Sequence, residues 1–202
     1  PTLGLKDALK QNHISYRRDE GGGAFYGPKI DIKITDAIGR KWQCGTIQID
    51  MNLPERFKLS YTNEHNEQVQ PVMIHRALLG SFERFVAILT EHFSGEFPLF
   101  IAPTQVILIP IGDAQLEYAK ILRHKILAQS EAYAEIIDKN ESLGKKVRLA
   151  EKQRVPLIVV IGAKEVESKV LAIRDRREKT QYELPEEAFI AMLQTKIREV
   201  SF

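Results

Sequence analysis

The stretch Trp42-Gln43-Cys44-Gly45-Thr46-Ile47-Gln48-Ile49-Asp50 ends in a strict alternation. Ile47 and Ile49 fall on one side of an extended chain, and Thr46, Gln48 and Asp50 fall on the other. That is the two-residue period of a strand buried on one face. Just upstream, Ile30, Ile32 and Ile34 alternate with Asp31, Lys33 and Thr35, and Ile38-Gly39-Arg40 supplies a turn between the two segments. Two such strands joined by a short turn predict an antiparallel pair. A further hairpin is expected around Asn63 to Glu67, and Pro71 to Ala77 reads as another strand. From Ser81 the period lengthens. Phe82, Phe85, Val86, Leu89 and Phe93 recur at helical spacing until Gly95 and Pro98 stop the pattern. Upstream of the strands, Leu3 to Asn12 carries a short helical pattern with Leu5, Ala8 and Leu9 on one face. The run Gly21-Gly22-Gly23 separates that helix from the sheet.

Beyond a linker at Pro98 to Pro103 the grammar changes. Val106 to Ile111 is continuously apolar, the mark of a strand covered on both faces. Asp113 is placed to begin a helix running to Gln129. Ala134 to Asp138 predicts a strand, Ser142 to Arg154 a basic helix, and Leu157 to Ile161 a second buried strand. Val170 to Arg174 and Gln181 to Leu184 pair as a hairpin, and Pro185 is expected in the first turn of a last helix. The chain is therefore α/β in class. An incomplete α+β segment with an antiparallel sheet occupies residues 1–102, and an α/β domain with a mixed sheet occupies 103–202.

Bulk composition narrows the function classes only a little. The 202 residues are 44% hydrophobic, enough for a core. With 29 Lys plus Arg against 27 Asp plus Glu, the net charge of +2 points neither toward nor away from nucleic acid. The single cysteine, Cys44, excludes an intrachain disulfide and fits a reducing, cytoplasmic compartment. No apolar run reaches the roughly 18 residues of a membrane helix. No signal peptide opens the chain, and its start at Pro1 reads as that of an excised fragment.

The residues able to carry chemistry each have a plain structural reading as well. Gly80-Ser81-Phe82-Glu83-Arg84 lies where a strand gives way to a helix. Free N–H groups and a fixed guanidinium there suit phosphate, although Arg84 alone could be an ordinary surface arginine. His75 ends an apolar strand, where a lone histidine is more often a satisfied residue than a ligand. His13, His65, His92 and His124 read as surface residues. Gln43, Thr46 and Gln48 offer uncharged hydrogen-bonding groups beside Cys44, whose default reading is a buried thiol. In the second part, Arg148, Arg154, Arg174, Arg176 and Arg177 could form an RNA surface if they converge, with Asn140 and Glu165 to read base edges.

Four of these segments together resemble one family. Gly23-Ala24-Phe25-Tyr26-Gly27-Pro28-Lys29 is similar to a hallmark of bacterial threonyl-tRNA synthetases, as is Trp42 to Asp50. Pro71 to Ala77, continued through Gly80 to Arg84, resembles motif 3 of the class II synthetases. Arg154-Val155-Pro156 and Gly162 to Ser168 resemble the family's anticodon-binding domain. The resemblance implies ATP-dependent activation of threonine and its transfer to threonine tRNA, with magnesium accompanying ATP. It also implies one zinc ion that grips the amino and hydroxyl groups of threonine, a distinction from valine that an apolar pocket makes poorly. By position it makes His75 a zinc ligand and puts Tyr26, Cys44 and Gln48 around threonine. Gln43, Thr46 and Arg84 fall to ATP, with Arg84 and Lys29 at the reacting centre. Asn140, Arg148, Glu165 and Arg174 fall to the anticodon.

The family's motifs 1 and 2, its other two zinc ligands (a Cys and a His) and its editing region have no counterpart in these 202 residues. Adenylation by this chain alone is therefore not expected, and a homodimer is expected for the whole enzyme. Two other readings stand beside this one. The first is a prolyl, histidyl or glycyl synthetase, which would share the second half but not the segments around Tyr26 and Gln48. The second is a non-catalytic tRNA-binding or regulatory protein that kept the synthetase shape.

Overall fold

In the computed structural model, which describes residues 1–198, the alternating isoleucines become strand β1 (Lys29–Thr35) and the quoted stretch becomes β2 (Lys41–Asp50). Helix α1 (Thr2–Gln11) precedes them. After β2 come a short helix, α2 (Asn52–Arg56), and a small hairpin of β3 (Tyr61–Thr62) with β4 (Gln68–Val69). Strand β5 (Met73–Ala77) and helix α3 (Phe82–His92) follow. The three longer strands form an antiparallel sheet in the order β1-β2-β5. Lys29 stands opposite Gln48, and Asp31 opposite Thr46. On the other edge of β2, Gln48 faces His75 and Asp50 faces Met73. Directly paired residues share a face. Lys29, Asp31, Thr46, Gln48, Asp50 and His75 therefore line one side of the sheet, and Ile30, Ile47, Ile49 and Ile74 line the other.

The alternation expected from Trp42 onward breaks once. Ile32 pairs with Gly45 but Lys33 pairs with Gln43, so Cys44 is the extra residue of a β-bulge. The chain from Leu78 to Gly80 passes close to this bulge. A Cβ on Gly45 would stand 3.2 Å from the Leu78 carbonyl, and one on Gly80, whose φ is +75°, would stand 3.2 Å from the Cys44 carbonyl. Both approaches need a residue without a side chain. The β1–β2 turn is closed by Asp36, whose carboxylate accepts the Ile38 and Arg40 backbone N–H groups, the Arg40 guanidinium and the Trp42 indole N–H. The Trp42 bond, with those from Arg40, holds this carboxyl at about 2.

The second unit opens with a 3-10 turn at Leu99–Ile101, then β6 (Val106–Pro110) and, through a further turn at Asp113–Gln115, α4 (Leu116–Ser130). Next come β7 (Ala134–Ile136), α5 (Leu143–Lys152), β8 (Leu157–Ile161) and α6 (Ala163–Ser168). A hairpin of β9 (Val170–Asp175) and β10 (Thr180–Pro185) leads into α7 (Glu186–Arg198). The sheet runs β10-β9-β8-β6-β7, with β6 parallel to β7 and β8, and β9 antiparallel to its neighbours, a mixed sheet as the sequence indicated. One face packs Val106, Leu108 and Val159 against Leu122, Ile126, Phe189 and Leu193 of α4 and α7. The other packs Ile107, Ile109 and Ile158 against Ala150 of α5 and Val155.

Several local expectations need correction. Helices α2 and α6 were not foreseen, since five or six residues hold too little periodicity to register. Pro185 is not in the last helix. It pairs with Val170 as the final residue of edge strand β10, where a missing N–H is tolerated. The segment expected as a linker at 98–103 is partly buried, with Leu99 packed on the second core. The chain forms two compact units, Pro1–His92 and Phe93–Phe202.

The second unit is clasped by Glu186. Its carboxylate is buried and accepts the Tyr118 hydroxyl at 2.5 Å and the Lys125 ammonium, tying the start of α7 to α4. Burial pushes the Glu186 carboxyl up, but Lys125 and Tyr118 together outweigh it and hold it below its ordinary value. A depressed carboxyl stabilises the fold above its unfolded-state pKa, roughly 4.3, and that stability is lost as pH falls through the lower folded value. Glu186→Gln should therefore cost about 1.5–3 kcal/mol at neutral pH, as for a lost hydrogen bond to a charged group. It should also flatten the loss of stability below about pH 4.5, measured by urea unfolding of residues 93–202 at stepped pH.

Candidate functional site

Tyr26 reaches the polar face of the β1-β2-β5 sheet because of the glycine after it. The Ala24–Gly27 turn is closed by the Gly27 N–H on the Ala24 carbonyl, and the Ile49 N–H donates to Pro28. A Cβ on Gly27 would lie 1.9 Å from the Ile49 carbonyl oxygen, so only glycine lets the turn lie this close to β2. The Tyr26 hydroxyl then donates to Gln48 Oε1 at 3.3 Å, and its ring meets that of His75 edge-on at 6.4 Å. Tyr26, Gln48 and His75 come from segments as far as 49 residues apart in sequence and are brought together by strand register.

Two carboxylates that the sequence reading did not assign organise this face. Asp31 accepts the Lys29 ammonium at 2.6 Å, the Gln43 amide at 2.9 Å and the Thr46 hydroxyl at 3.0 Å. It gathers three of the expected functional side chains into one cluster, and Gln43 also donates to Thr46 at 3.1 Å. Asp50, 1% exposed, bonds His75 Nε2 through Oδ2 at 2.9 Å. The His75 imidazole, followed by the backbone N–H groups of Leu53 and Asn52, holds the Asp50 carboxyl below its usual range. Asp50 shares the alternation phase of Thr46 and Gln48 on its own strand, whereas Asp31 joins them only through the β1–β2 register.

Arg84 sits in the first turn of α3 with its backbone N–H on the Ser81 hydroxyl and its side chain exposed to solvent. Cys44 is buried in the bulge, and among the described residues its thiol has no hydrogen bond to Tyr26 or Gln48. Among the described residues no group of three or more His, Cys, Asp and Glu side chains is placed to hold a metal ion. His75 fits the part of a single ligand, being ordered by Asp50 yet half-exposed.

In the second unit the expected RNA-facing residues are spread along α5. Asn140 precedes α5 beyond the carboxyl end of β7. Glu165 lies beyond the carboxyl end of β8, where its carboxylate caps the Gly162 N–H at 2.7 Å. Arg174 pairs in register with Ile158, near the opposite end of β8, and its guanidinium reaches Glu151 of α5 at 2.7 Å. Arg148 lies on α5 but lines a different cavity from Arg174. Asn140 and Glu165 lie beyond the carboxyl ends of β7 and β8, away from the end of β8 that pairs with Arg174. Arg154 and Arg176 turn instead to Glu96. Cavities flank α5 on both sides. One of about 380 Å³ is lined by Lys139, Lys146, Arg148 and Lys152, and one of about 300 Å³ by Val160, Ala172, Arg174 and Gln181. Lys146, buried and donating to the Pro110 carbonyl, and Gln181, beside Arg174 on β10, are additions that only the register reveals.

The family profile described as "tRNA synthetase class II core domain (G, H, P, S and T)" matches residues 3–93, and that described as "Anticodon binding domain" matches residues 105–196. The threonine–tRNA ligase of Helicobacter hepaticus is 86% identical over 201 residues, covering 100% of this chain and 33% of that protein. The threonine–tRNA ligase of Helicobacter acinonychis is 62% identical over the same length, with the same coverage. The chain thus spans about a third of the length of the curated relatives it matches. A crystal structure of the RNA binding domain of threonyl-tRNA synthetase from Cryptosporidium parvum Iowa II is similar at a TM-score of 0.85. Its identity is 36%, and the match covers 96% of this chain and 49% of that one. No helix among the described residues is long and apolar enough to cross a membrane.

The tight seat of the Tyr26 turn gives a direct test of how the polar face is built. Gly27→Ala forces the turn off the Ile49 carbonyl and should cost about 1–3 kcal/mol, as overpacking does. Tyr26 fluorescence or its NMR contacts to Gln48 and His75 should change, while unfolding of the second unit stays at its original midpoint.

Proposed function

We infer, from the chain's membership of the threonine–tRNA ligase family, that it forms the end of a class II catalytic domain and the anticodon-binding domain of an enzyme that charges threonine tRNA. The observation that carries the reading is the polar face of the β1-β2-β5 sheet. There Tyr26, Gln48 and His75 converge beside the Lys29, Gln43 and Thr46 cluster. A match of 86% identity to a threonine–tRNA ligase favours that specificity over a prolyl, histidyl or glycyl one.

The first step joins the threonine carboxylate to the α-phosphorus of ATP and expels pyrophosphate. The threonyl group then passes from the adenylate to the terminal ribose of the tRNA. Tyr26 and Gln48 hold threonine, with Cys44 behind them as a buried support. Gln43 and Thr46 bind the nucleotide, which arrives with magnesium. Arg84, at the start of α3, offsets charge building on the phosphate, helped by the helix N-terminus and by Lys29. His75 would be one ligand of a zinc ion whose other ligands lie outside this chain, and the bound ion would supply a Lewis acid for the polar groups of threonine. The missing ligands and motifs mean that these 202 residues need the rest of the enzyme for adenylation. The whole enzyme works as a homodimer in the cytoplasm.

In the second unit, Arg148 and Arg174 meet the anticodon loop along α5, with Asn140 and Glu165 at the far end to read base edges. Unstacked bases fit the cavity beside α5, lined by Val160, Ala172 and Gln181 with Val147 of the helix at its edge.

Two measurements test these assignments. In the full-length enzyme, Arg84→Ala should lower threonine-dependent ATP–pyrophosphate exchange by about 10²–10³-fold, the scale of one lost charge-stabilising donor, with an unchanged melting temperature. A sharp fall in melting temperature with normal exchange would make Arg84 structural. Residues 93–202, which carry their own core, should bind threonine tRNA more tightly than the same tRNA with altered anticodon bases. Arg174→Ala should reduce that discrimination by about 1–3 kcal/mol. Filter binding at several salt concentrations decides it, and equal affinities for both tRNAs would show holding without reading.

A further inference from the structure

The polar face holds one interaction that the assigned roles leave unexplained, a buried carboxylate bonded to an exposed imidazole. Asp50 is 1% exposed, whereas the His75 side chain is 44% exposed. Burying a carboxylate is costly unless its lone pairs are met. Both oxygens of Asp50 are met. Oδ1 accepts the Asn52 N–H at 2.8 Å and the Leu53 N–H at 3.0 Å, and Oδ2 faces His75 Nε2 at 2.9 Å. Two backbone bonds to the start of α2 fix the carboxylate in place, and β2–β5 pairing fixes the backbone of His75 beside it. The Tyr26 ring packs edge-on against the imidazole from another side.

We propose that Asp50 is a positioning residue that sets the tautomer and ring orientation of His75, so that Nδ1 presents its lone pair to a divalent metal ion. The chemistry follows from the donor set. An ionised carboxylate can only accept, so the proton of the neutral imidazole is on Nε2 and the lone pair is on Nδ1. A carboxylate behind a metal-binding histidine also raises the basicity of the ligand nitrogen. The inference rests on the reading of His75 as a zinc ligand given above.

Asp50→Asn separates this role from simple capping of α2. Asparagine caps helices as well as aspartate does, so Oδ1 and its two backbone bonds survive. The new amide, however, donates where the carboxylate accepted. Nε2 must then accept, and the proton moves to Nδ1, the wrong tautomer for coordination there. In the 202-residue chain, labelled with ¹⁵N-histidine at mildly alkaline pH and with His75 assigned through His75→Gln, the wild type should show Nε2–H and Asp50→Asn should show Nδ1–H. In the full-length protein, zinc affinity measured against a chromophoric chelator should weaken about 10–100-fold in Asp50→Asn, with the melting temperature unchanged. An unmoved tautomer or an unmoved zinc affinity would overturn the proposal. Full zinc content in His75→Ala would instead remove His75 as a ligand, and this proposal with it. Loss of zinc in His75→Ala together with normal zinc affinity in Asp50→Asn would reject the role of Asp50 alone.

Discussion

Strand β2 is fixed in register from both edges, with Gln48 opposite Lys29 on one side and His75 on the other. A slip of one residue would turn Thr46, Gln48 and Asp50 to the apolar side and send Ile47 and Ile49 to the polar one. Every contact of the candidate site depends on that register. Tyr26 finds Gln48, Asp31 finds Gln43 and Thr46, and Asp50 finds His75 only in this pairing. The bulge at Cys44 belongs to the same constraint. It absorbs one residue so that Gln43, on the near side, still meets Asp31 and Thr46.

The two units are stabilised in different ways. The second is a layered structure in which β6 is entirely buried and α4, α5 and α7 cover the sheet. Fully burying each Ile, Leu or Phe there contributes about 1.5–3 kcal/mol, and the cluster holds many of them. In the first unit, among the described residues, only Cys44 and Pro54 are buried apolar side chains, and Ile32, Ile74 and Leu78 stay exposed. Its order rests instead on backbone pairing and on carboxylates that collect several donors each. Asp36 closes the hairpin, Asp31 binds three side chains, and Asp50 joins a helix start to His75. Such groups fix geometry well, which is what a site for small polar ligands requires.

The two faces of the second unit's sheet are covered unequally. Among the described residues, α4, α7 and Val166 of α6 pack on one face of the sheet, and α5 packs on the other. The strip formed by Val160, Ala172 and Arg174 therefore lies open beside the helix. The same hairpin that brings Arg174 toward Glu151 also brings Gln181 beside it. Cationic side chains and an open, partly apolar strip on one face are what stacked and splayed bases require.

The sequence by itself determined the class of each half, most of the strands and the family to which the chain belongs. Alternation and apolar runs are local signals, and four motif segments in order are specific. It also singled out Tyr26, Gln48, His75 and Arg84 by residue type and position. Three things needed tertiary structure. Pro185 was assignable to a strand only through its pairing with Val170, because a proline before a helix reads the same from sequence. The bulge at Cys44 showed only in the β1–β2 register, which no local pattern announces. Asp31 and Asp50 looked like ordinary polar positions on alternating strands until register placed their partners beside them. A carboxylate's role is set by which donors surround it, and those donors come from Gln43, Thr46 and His75, which only strand pairing brings within 3 Å.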